Sequence, residues 1–338
     1  MDKRATPIHQ KLKALLPSRQ MGMFLVLIIV VFGIFTFIIP NFNYVRIANL
    51  NNMLTDSVIP AIFAFGMGMI LAVGGFDLSL GHIASLAALI IAYLMSGGIK
   101  LDPVSAILVG VLAASVIGLI NGLLVSRMGI SSFIVTLGMQ FLIIGFRQIV
   151  THGQSVYISN SLFKSLAKTQ LGVSNLVFVL LIMALLCYLL MEKSTFGRKV
   201  QFIGENIEAS RFMGINVKQL TMYTFIFGAV CAAIGGALFA ARAGAVQINS
   251  VDSKLLDAIT IAVFSGVIFS RFRVMGIIMV AILISMISTG MSMLGIKTEW
   301  IEFIKGLILL SSIFFAKFMS VNTSLLNFQI FHKLRRSN

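Results

Sequence analysis

Charge is what this chain has least of. Only 11% of its 338 residues are charged, against roughly a quarter in a soluble domain, while 58% are hydrophobic and mean hydropathy is +1.01. A chain so composed cannot cover itself with a wet surface. That excludes a soluble enzyme or binding domain and makes it an integral membrane protein. Cysteine is scarcer still: Cys187 and Cys231 stand singly in apolar runs. This excludes a disulfide framework or a cysteine-ligated metal and leaves two buried free thiols. The phosphate-cradling pattern G-x-x-x-x-G-K-[ST] is missing throughout, and the longest polar connections, 151–173 and 192–218, are too small to hydrolyse a nucleotide. Paired catalytic carboxylates, a histidine cluster and a nucleophile constellation are lacking too, so the sequence calls for no enzyme chemistry, metal or cofactor.

What is abundant is uncharged length. Runs able to cross a bilayer, about 20 residues each, cover 21–40, 57–76, 78–99, 103–126, 129–146, 174–191, 219–241 and 274–296, with shorter candidates at 258–270 and 300–316. The expected fold class is an all-α membrane protein, a polytopic helical bundle of about ten transmembrane helices. The segment 258–270 would make a helix of about 20 Å, against about 30 Å of hydrocarbon. Two readings fit it. It is either a tilted span with Asp257 and Arg271 snorkelling, or a half-helix lining a cavity, where irregular backbone at membrane depth is tolerated. A weak pseudo-repeat of two five-helix halves is compatible with the pattern.

The net charge of +15 is spread among the loops rather than gathered in a patch, so the positive-inside rule explains it better than nucleic-acid binding. With ten spans and the N-terminus inside, 17 of the 26 basic residues fall in cytoplasmic segments and 8, Arg147 among them, fall outside. Both termini are therefore expected in the cytoplasm. Residues 1–20 form a basic N-terminal segment, 21–318 the transmembrane domain with a cytoplasmic loop at 193–218, and 319–338 a cytoplasmic tail. The basic start leads straight into a full-length span with no small-residue cleavage site, which reads as an uncleaved first helix.

Two segments carry more than hydrophobicity. In "AVGGFDLSLGHIAS", residues 72–85, Gly74 and Gly75 leave helical geometry cheaply. Asp77 and Ser79 can then accept hydrogen bonds from the N–H groups opening a helix at Leu80, where a carboxylate is also favoured electrostatically. Such a turn is either a capped connection between two spans or part of a transport path or gate. His82 reads as packed or interfacial. In "FGRKVQFIGENIEASRFMGINVKQL", residues 196–220, charge is densest, and a short helical pattern ends at Gly214, a C-terminal stop. Its apolar members Ile207, Phe212, Met213 and Ile215 are too few to bury a core. A helix of this kind needs a partner surface, lipid headgroups or a protein. Within the spans, Asn121, Thr136 and Gln140 either face a path or bond between helices, and Glu302 and Lys305 share a face as an intramembrane ion pair.

Together, "GGFDLSLG" and the later "GENIEASRFMGINV" resemble the permease subunits of ribose-type sugar ABC importers. The matching positions are Gly74, Gly75, Asp77, Leu78, Ser79 and Gly81, then Gly204, Asn206, Glu208, Ala209, Arg211, Gly214, Ile215, Asn216 and Val217. Further matches are "GLINGLLVS" (118–126), "FIVTLGMQFLIIG" (133–145), "LLDAITIAV" (255–263) and "IKGLILL" (304–310), so the resemblance covers nearly the whole chain. It implies an ABC importer permease fold in a bacterial cytoplasmic membrane. It also implies cytoplasmic ATPase subunits docked on a coupling helix in the second motif, an extracytoplasmic solute-binding protein, and a second permease copy or related permease. The match lapses once. Where the family has a glycine-rich turn after "AITIAVFSG", this chain reads "VIFSRFRVMG", residues 267–276, shorter and without those glycines. The turn must be built differently, and the chain is then either one of two identical permeases or the diverged half of a heterodimer. Ser210 also replaces the second alanine of the coupling loop.

The function so implied is import of a sugar or sugar-like polar solute. Importers of branched-chain amino acids or nucleosides share the broader architecture, although the "FDLS" turn leans toward sugars. An ion-coupled secondary transporter is the rival of another class, with Asp77 or Glu302 as its coupling acid.

Overall fold

The computed structural model describes residues 19–314 except 97, 98, 171, 248, 270 and 312. Its helices are α1 (Arg19–Ile38), α2 (Ile47–Ala72), α3 (Leu80–Ser96), α4 (Pro103–Ser126), α5 (Ser132–Thr151), α6 (Asn175–Tyr188), α7 (Thr195–Glu205), α8 (Ile207–Phe212), α9 (Val217–Ala243), α10 (Lys254–Phe269) and α11 (Val274–Met293). A last helical stretch occupies 298–311. Strand is confined to two antiparallel pairs of two residues per strand: β1 (Val156–Tyr157) with β4 (Ala245–Val246), and β2 (Thr169–Gln170) with β3 (Val173–Ser174). Seven of the described helices are long and apolar enough to cross a membrane, namely α1, α2, α4, α5, α6 with its continuation to Lys193, α9 and α11. The chain is an all-α polytopic membrane protein.

The bundle is organised around two long buried helices. α2 and α9 cross antiparallel where Gly66 meets Gly228, so close that a β-carbon on Gly66 would lie 2.9 Å from the Gly228 Cα. Between apolar helices in lipid, close backbone approach replaces the hydrophobic driving force available in water. The same device seats α4 on α9. Ala106, Gly110, Ala114, Gly118 and Gly122 recur every four residues as one buried ridge, and a β-carbon on Gly118 would press the Phe225 carbonyl at 2.7 Å. By contrast α1, α4, α5 and α6 turn most of their apolar surface outward, as helices against lipid do.

Two sets of consecutive helices repeat one arrangement in opposite senses. In α2–α3–α4, a long helix is followed by a short one and a third. The order recurs in α9–α10–α11. α9 packs on α3 and α4 of the first set, and α2 packs on α10 and α11 of the second. The likeness is between two sets of three helices, related as an inverted pair. The short members, with 17 and 16 residues, reach only about 25 Å, less than the hydrocarbon thickness. Their N-terminal ends meet in the bundle interior, where a β-carbon on Gly81 would lie 3.0 Å from both the Asp252 carbonyl and the Leu255 Cβ. The run 258–270 thus lies in a helix that starts earlier, at Lys254, and the run 78–99 forms a helix of 17 residues; both lengths suit half-helices entering the bundle interior.

Three other expectations change. α2 starts at Ile47, ten residues before the expected 57, because Asn49, Asn51, Asn52 and Asp56 dilute the apolar signal of its first turns. Arg147 is not in an external loop but in α5, fully buried. Asp257 does not snorkel; it is buried, with the Lys305 Nζ 2.8 Å away. The turn at 267–276 replaces glycine with aromatic filling. Phe272 packs over Gly68 and Gly266, and Phe269 packs over Gly276 and edge-on against Phe24. Among the described residues of the turn none has a positive φ.

Candidate functional site

The turn between α2 and α3 begins as a Schellman motif. Gly74 takes φ +77, its N–H donates to the Leu71 carbonyl at 3.0 Å, and the Gly75 N–H donates to the Ile70 carbonyl at 2.9 Å. That pairing satisfies the carbonyls left open at a helix end and requires a left-handed residue that glycine adopts without strain. Gly75 also lets Ile70 and Phe225 close over the turn. The chain then runs extended through Phe76 and Leu78, whose N–H groups donate to Ser132 Oγ at 3.0 Å and Thr136 Oγ1 at 3.1 Å on α5.

Asp77 is fully buried at the head of α3. Its Oδ1 accepts the Ser79 N–H at 2.7 Å and the Ser79 hydroxyl at 2.6 Å, while the Ser79 carbonyl accepts the first helical bond from Ile83. Asn121 of α4 donates from Nδ2 to Ser79 Oγ at 3.0 Å. Asp77, Ser79, Asn121, Ser132 and Thr136 are thus one polar cluster holding the start of a half-helix, with Gly81 just beyond it. Gln140 is not in the cluster. It lies half-buried one turn further along the same face of α5.

At the α2 end of this turn sits the charged segment. Ser194 caps α7, accepting the Gly197 N–H at 3.1 Å, and Asn206 caps α8, accepting the Ala209 N–H at 2.9 Å. α8 closes with the same device as α2. Gly214 has φ +72, its N–H donates to the Arg211 carbonyl, and the Ile215 N–H donates to the Ser210 carbonyl, each at 3.0 Å. Asn216 then caps α9 by accepting the Gln219 N–H at 3.1 Å. Ser210, which replaces an alanine, is buried with its hydroxyl donating to the Asn206 carbonyl at 2.8 Å.

Phe212 is 90% exposed, Ile207 and Met213 flank it in the open, and Glu208 and Arg211 form an exposed ion pair at 2.9 Å. Gly204 joins the two regions. It lies against the Ala72 carbonyl so closely that any β-carbon would overlap it. Beside that contact is a cleft of about 220 Å³ lined by Leu71, Gly74, Gln201, Glu205, Arg271 and Phe272, closed by the Arg271–Glu205 pair at 3.0 Å.

A second polar cluster was not anticipated. Arg147 donates Nη1 to Asp252 Oδ1 at 3.1 Å and Nη2 to Oδ2 at 3.0 Å, Ser85 donates to Oδ1 at 2.5 Å, and His82 Nδ1 lies 2.9 Å from Oδ2. His82 is packed, as expected, and is also a partner of a carboxylate. The signal was present, since Arg147 falls on the Thr136–Gln140–Ile143 face of α5. Hydropathy hid it by ending the span one residue earlier.

The model of the family described as branched-chain amino acid transport system / permease component matches residues 49–313. The galactose/methyl galactoside import permease protein MglC of Escherichia coli K12 is 30% identical over 321 residues, 89% of this chain and 95% of that protein. The ribose import permease protein RbsC of Bacillus subtilis 168 is 29% identical over 87% of this chain and 90% of that protein. The D-allose transport system permease protein AlsC of E. coli K12 is 28% identical over 86% and 90%. No solved structure matches. The resemblance read from two motifs is borne out by these relatives. With nearly the whole bundle inside the matched region, the chain belongs to this family of transport-system permease components.

Proposed function

We propose that this chain is the membrane permease subunit of an ATP-binding-cassette importer for a sugar or sugar-like polar solute. Sugars are named in all three relatives cited, and the "FDLS" turn leans the same way. The observation that carries the mechanism is the seating of Gly204 on the Ala72 carbonyl. A force on α7–α8 reaches the end of α2 through backbone, with no flexible side chain between, and Asp77 follows five residues on.

In this mechanism α7 and α8 face the cytoplasm with both chain termini. Exposed Phe212, Ile207 and Met213, with the Glu208–Arg211 pair beside them, dock on a separate ATPase subunit. Closure of the ATPases shifts Gly204 against α2 and moves the turn through Asp77 that opens α3. A binding protein delivers solute at the opposite end, and a second permease completes the path, which Asn121 and Gln140 border. Inverted repeats suit such a cycle, because one repeat can rock against the other around a fixed site.

The test is co-expression with ATPase and binding-protein genes, followed by ATP-dependent uptake in proteoliposomes. Uptake of ribose or galactose that needs both partners supports the proposal. The family description favours a second reading, import of branched-chain amino acids, and uptake of leucine in the same assay would select it.

A further inference from the structure

We propose that Arg147 is a positioning residue for transport, and that its ion pair with Asp252 latches the two inverted repeats in one conformation and separates when they rock. The proposal rests on the importer reading above. The two half-helices are introduced alike. Asp77 stands just ahead of α3 and His82 five residues after it; Asp252 stands just ahead of α10 and Asp257 five residues after it. The helix that follows each repeat supplies a cation to that later position. Arg147 of α5 has Nη2 2.9 Å from His82 Nδ1, and Lys305 of the stretch 298–311 has Nζ 2.8 Å from Asp257 Oδ1.

The likeness ends at Asp252. Lys305, Asp257 and Glu302 all lie on the second repeat and its following helix. Asp252 also belongs to the second repeat, yet every side chain that bonds its carboxylate here, Arg147, His82 and Ser85, comes from the first repeat or from α5. The contacts cross the junction where the two half-helix N-termini meet. On α5, Ser132 and Thr136 hold the turn before α3, and Arg147 on the same face, 11 residues beyond Thr136, holds the turn before α10. One helix therefore ties both turns together.

A buried ion pair is a poor device for stability, since well-packed apolar residues often replace it without loss. Its worth lies in having two states. Paired, both charges are satisfied, with Arg147 fully buried and the Asp252 side chain 15% exposed; drawn apart into a water-filled path, both are hydrated. Rocking of the repeats moves Asp252 relative to Arg147 and so exchanges the two.

The test uses the complete importer in proteoliposomes. Arg147→Met with Asp252→Asn removes both charges and keeps an oxygen for Ser85. The expected result is normal yield and melting temperature, at least a tenfold fall in maximal uptake, and little change in KM for loaded binding protein. Arg147→Lys, which keeps the charge, should retain at least a third of the rate. Full uptake by the charge-free variant, or equal loss in Arg147→Lys, overturns the proposal. If the charge-free variant does not fold, spin labels at Val150→Cys and Ser253→Cys in the otherwise native pair decide. Their separation should change by several ångströms between nucleotide-free and vanadate-trapped complex, and an unchanged separation overturns the latch. Absence of ATP-dependent uptake by the unsubstituted protein strikes the importer reading instead.

Discussion

Gly204 and Ala72 touch backbone to backbone, and nothing larger than hydrogen fits between them. The contact fixes α7 to the end of α2. Gly204→Ala must push the two apart by more than an ångström or distort the Schellman turn at Gly74. ATP hydrolysis by the assembled complex should then lose its dependence on loaded binding protein, and the melting temperature should fall by a few degrees. An alanine variant with wild-type coupling would show that force does not travel by this route.

The exposed Glu208–Arg211 pair contributes about 0–1 kcal/mol at most, as surface pairs do. Glu208→Lys should therefore leave melting unchanged while abolishing substrate-stimulated ATP hydrolysis, because it reverses charge on the surface proposed to dock the ATPase. Gly214→Val acts differently. A branched residue at φ +72 costs about 1–2 kcal/mol and should misplace α8 as well as uncouple. Thermal melting alongside ATPase assays separates the two. Transport surviving in both well-expressed variants would make α8 an interfacial helix only.

Asp77 tests capping against gating. Asparagine keeps the Oδ1 that accepts the Ser79 N–H, so Asp77→Asn should retain yield and transport. Asp77→Leu removes the acceptor and leaves two Ser79 donors buried, costing about 0.5–2 kcal/mol for the cap alone and lowering expression. A stable but inactive Asp77→Asn protein would mean the carboxylate itself serves the path or gate.

Lys305 is buried between Asp257 and Glu302. Lys305→Met leaves buried Asp257 with only the longer contact to Lys254 Nζ, 3.8 Å from Oδ2, and should destabilise by up to about 3–5 kcal/mol. Adding Asp257→Leu should restore most of that. Melting of the single and double variants in detergent checks it, and a double variant as unstable as the single one contradicts the pairing.

Much of this was legible from residue order. The apolar runs located the long helices, and the glycines at 74 and 214 marked both helix stops because a left-handed residue has few substitutes. What escaped depended on contacts distant in sequence. Arg147 looked like a loop residue because the partners that make a buried guanidinium tolerable, Asp252 and His82, lie 105 and 65 positions away. The early start of α2 was masked by polar residues, one of which, Asn51, has a remote partner and accepts the Ser174 N–H at 3.0 Å. The apolar run 78–99 is longer than the helix it forms, Leu80–Ser96, because hydropathy measures apolar length and not where a helix begins and ends. The Phe269 and Phe272 turn was flagged as different, yet its solution lies in Gly68, Gly266 and Gly276, which a local reading does not connect to it.

Orientation follows from the same arrangement. If α7 and α8 face the cytoplasm, tags at Met1 and Asn338 should both be reached from that side, and the connection 151–173 from the other. Protease protection of a C-terminal tag in inside-out vesicles would contradict the pairing of the termini.

The most direct measurement is labelled-solute uptake by proteoliposomes containing this chain, its ATPase subunits and its binding protein, with ATP enclosed and no ion gradient imposed. A sugar importer permease accumulates ribose or galactose only when ATP, ATPase and binding protein are all present, and stops when Glu208 is replaced by lysine. Uptake that proceeds without ATPase and follows an imposed proton or sodium gradient would contradict it.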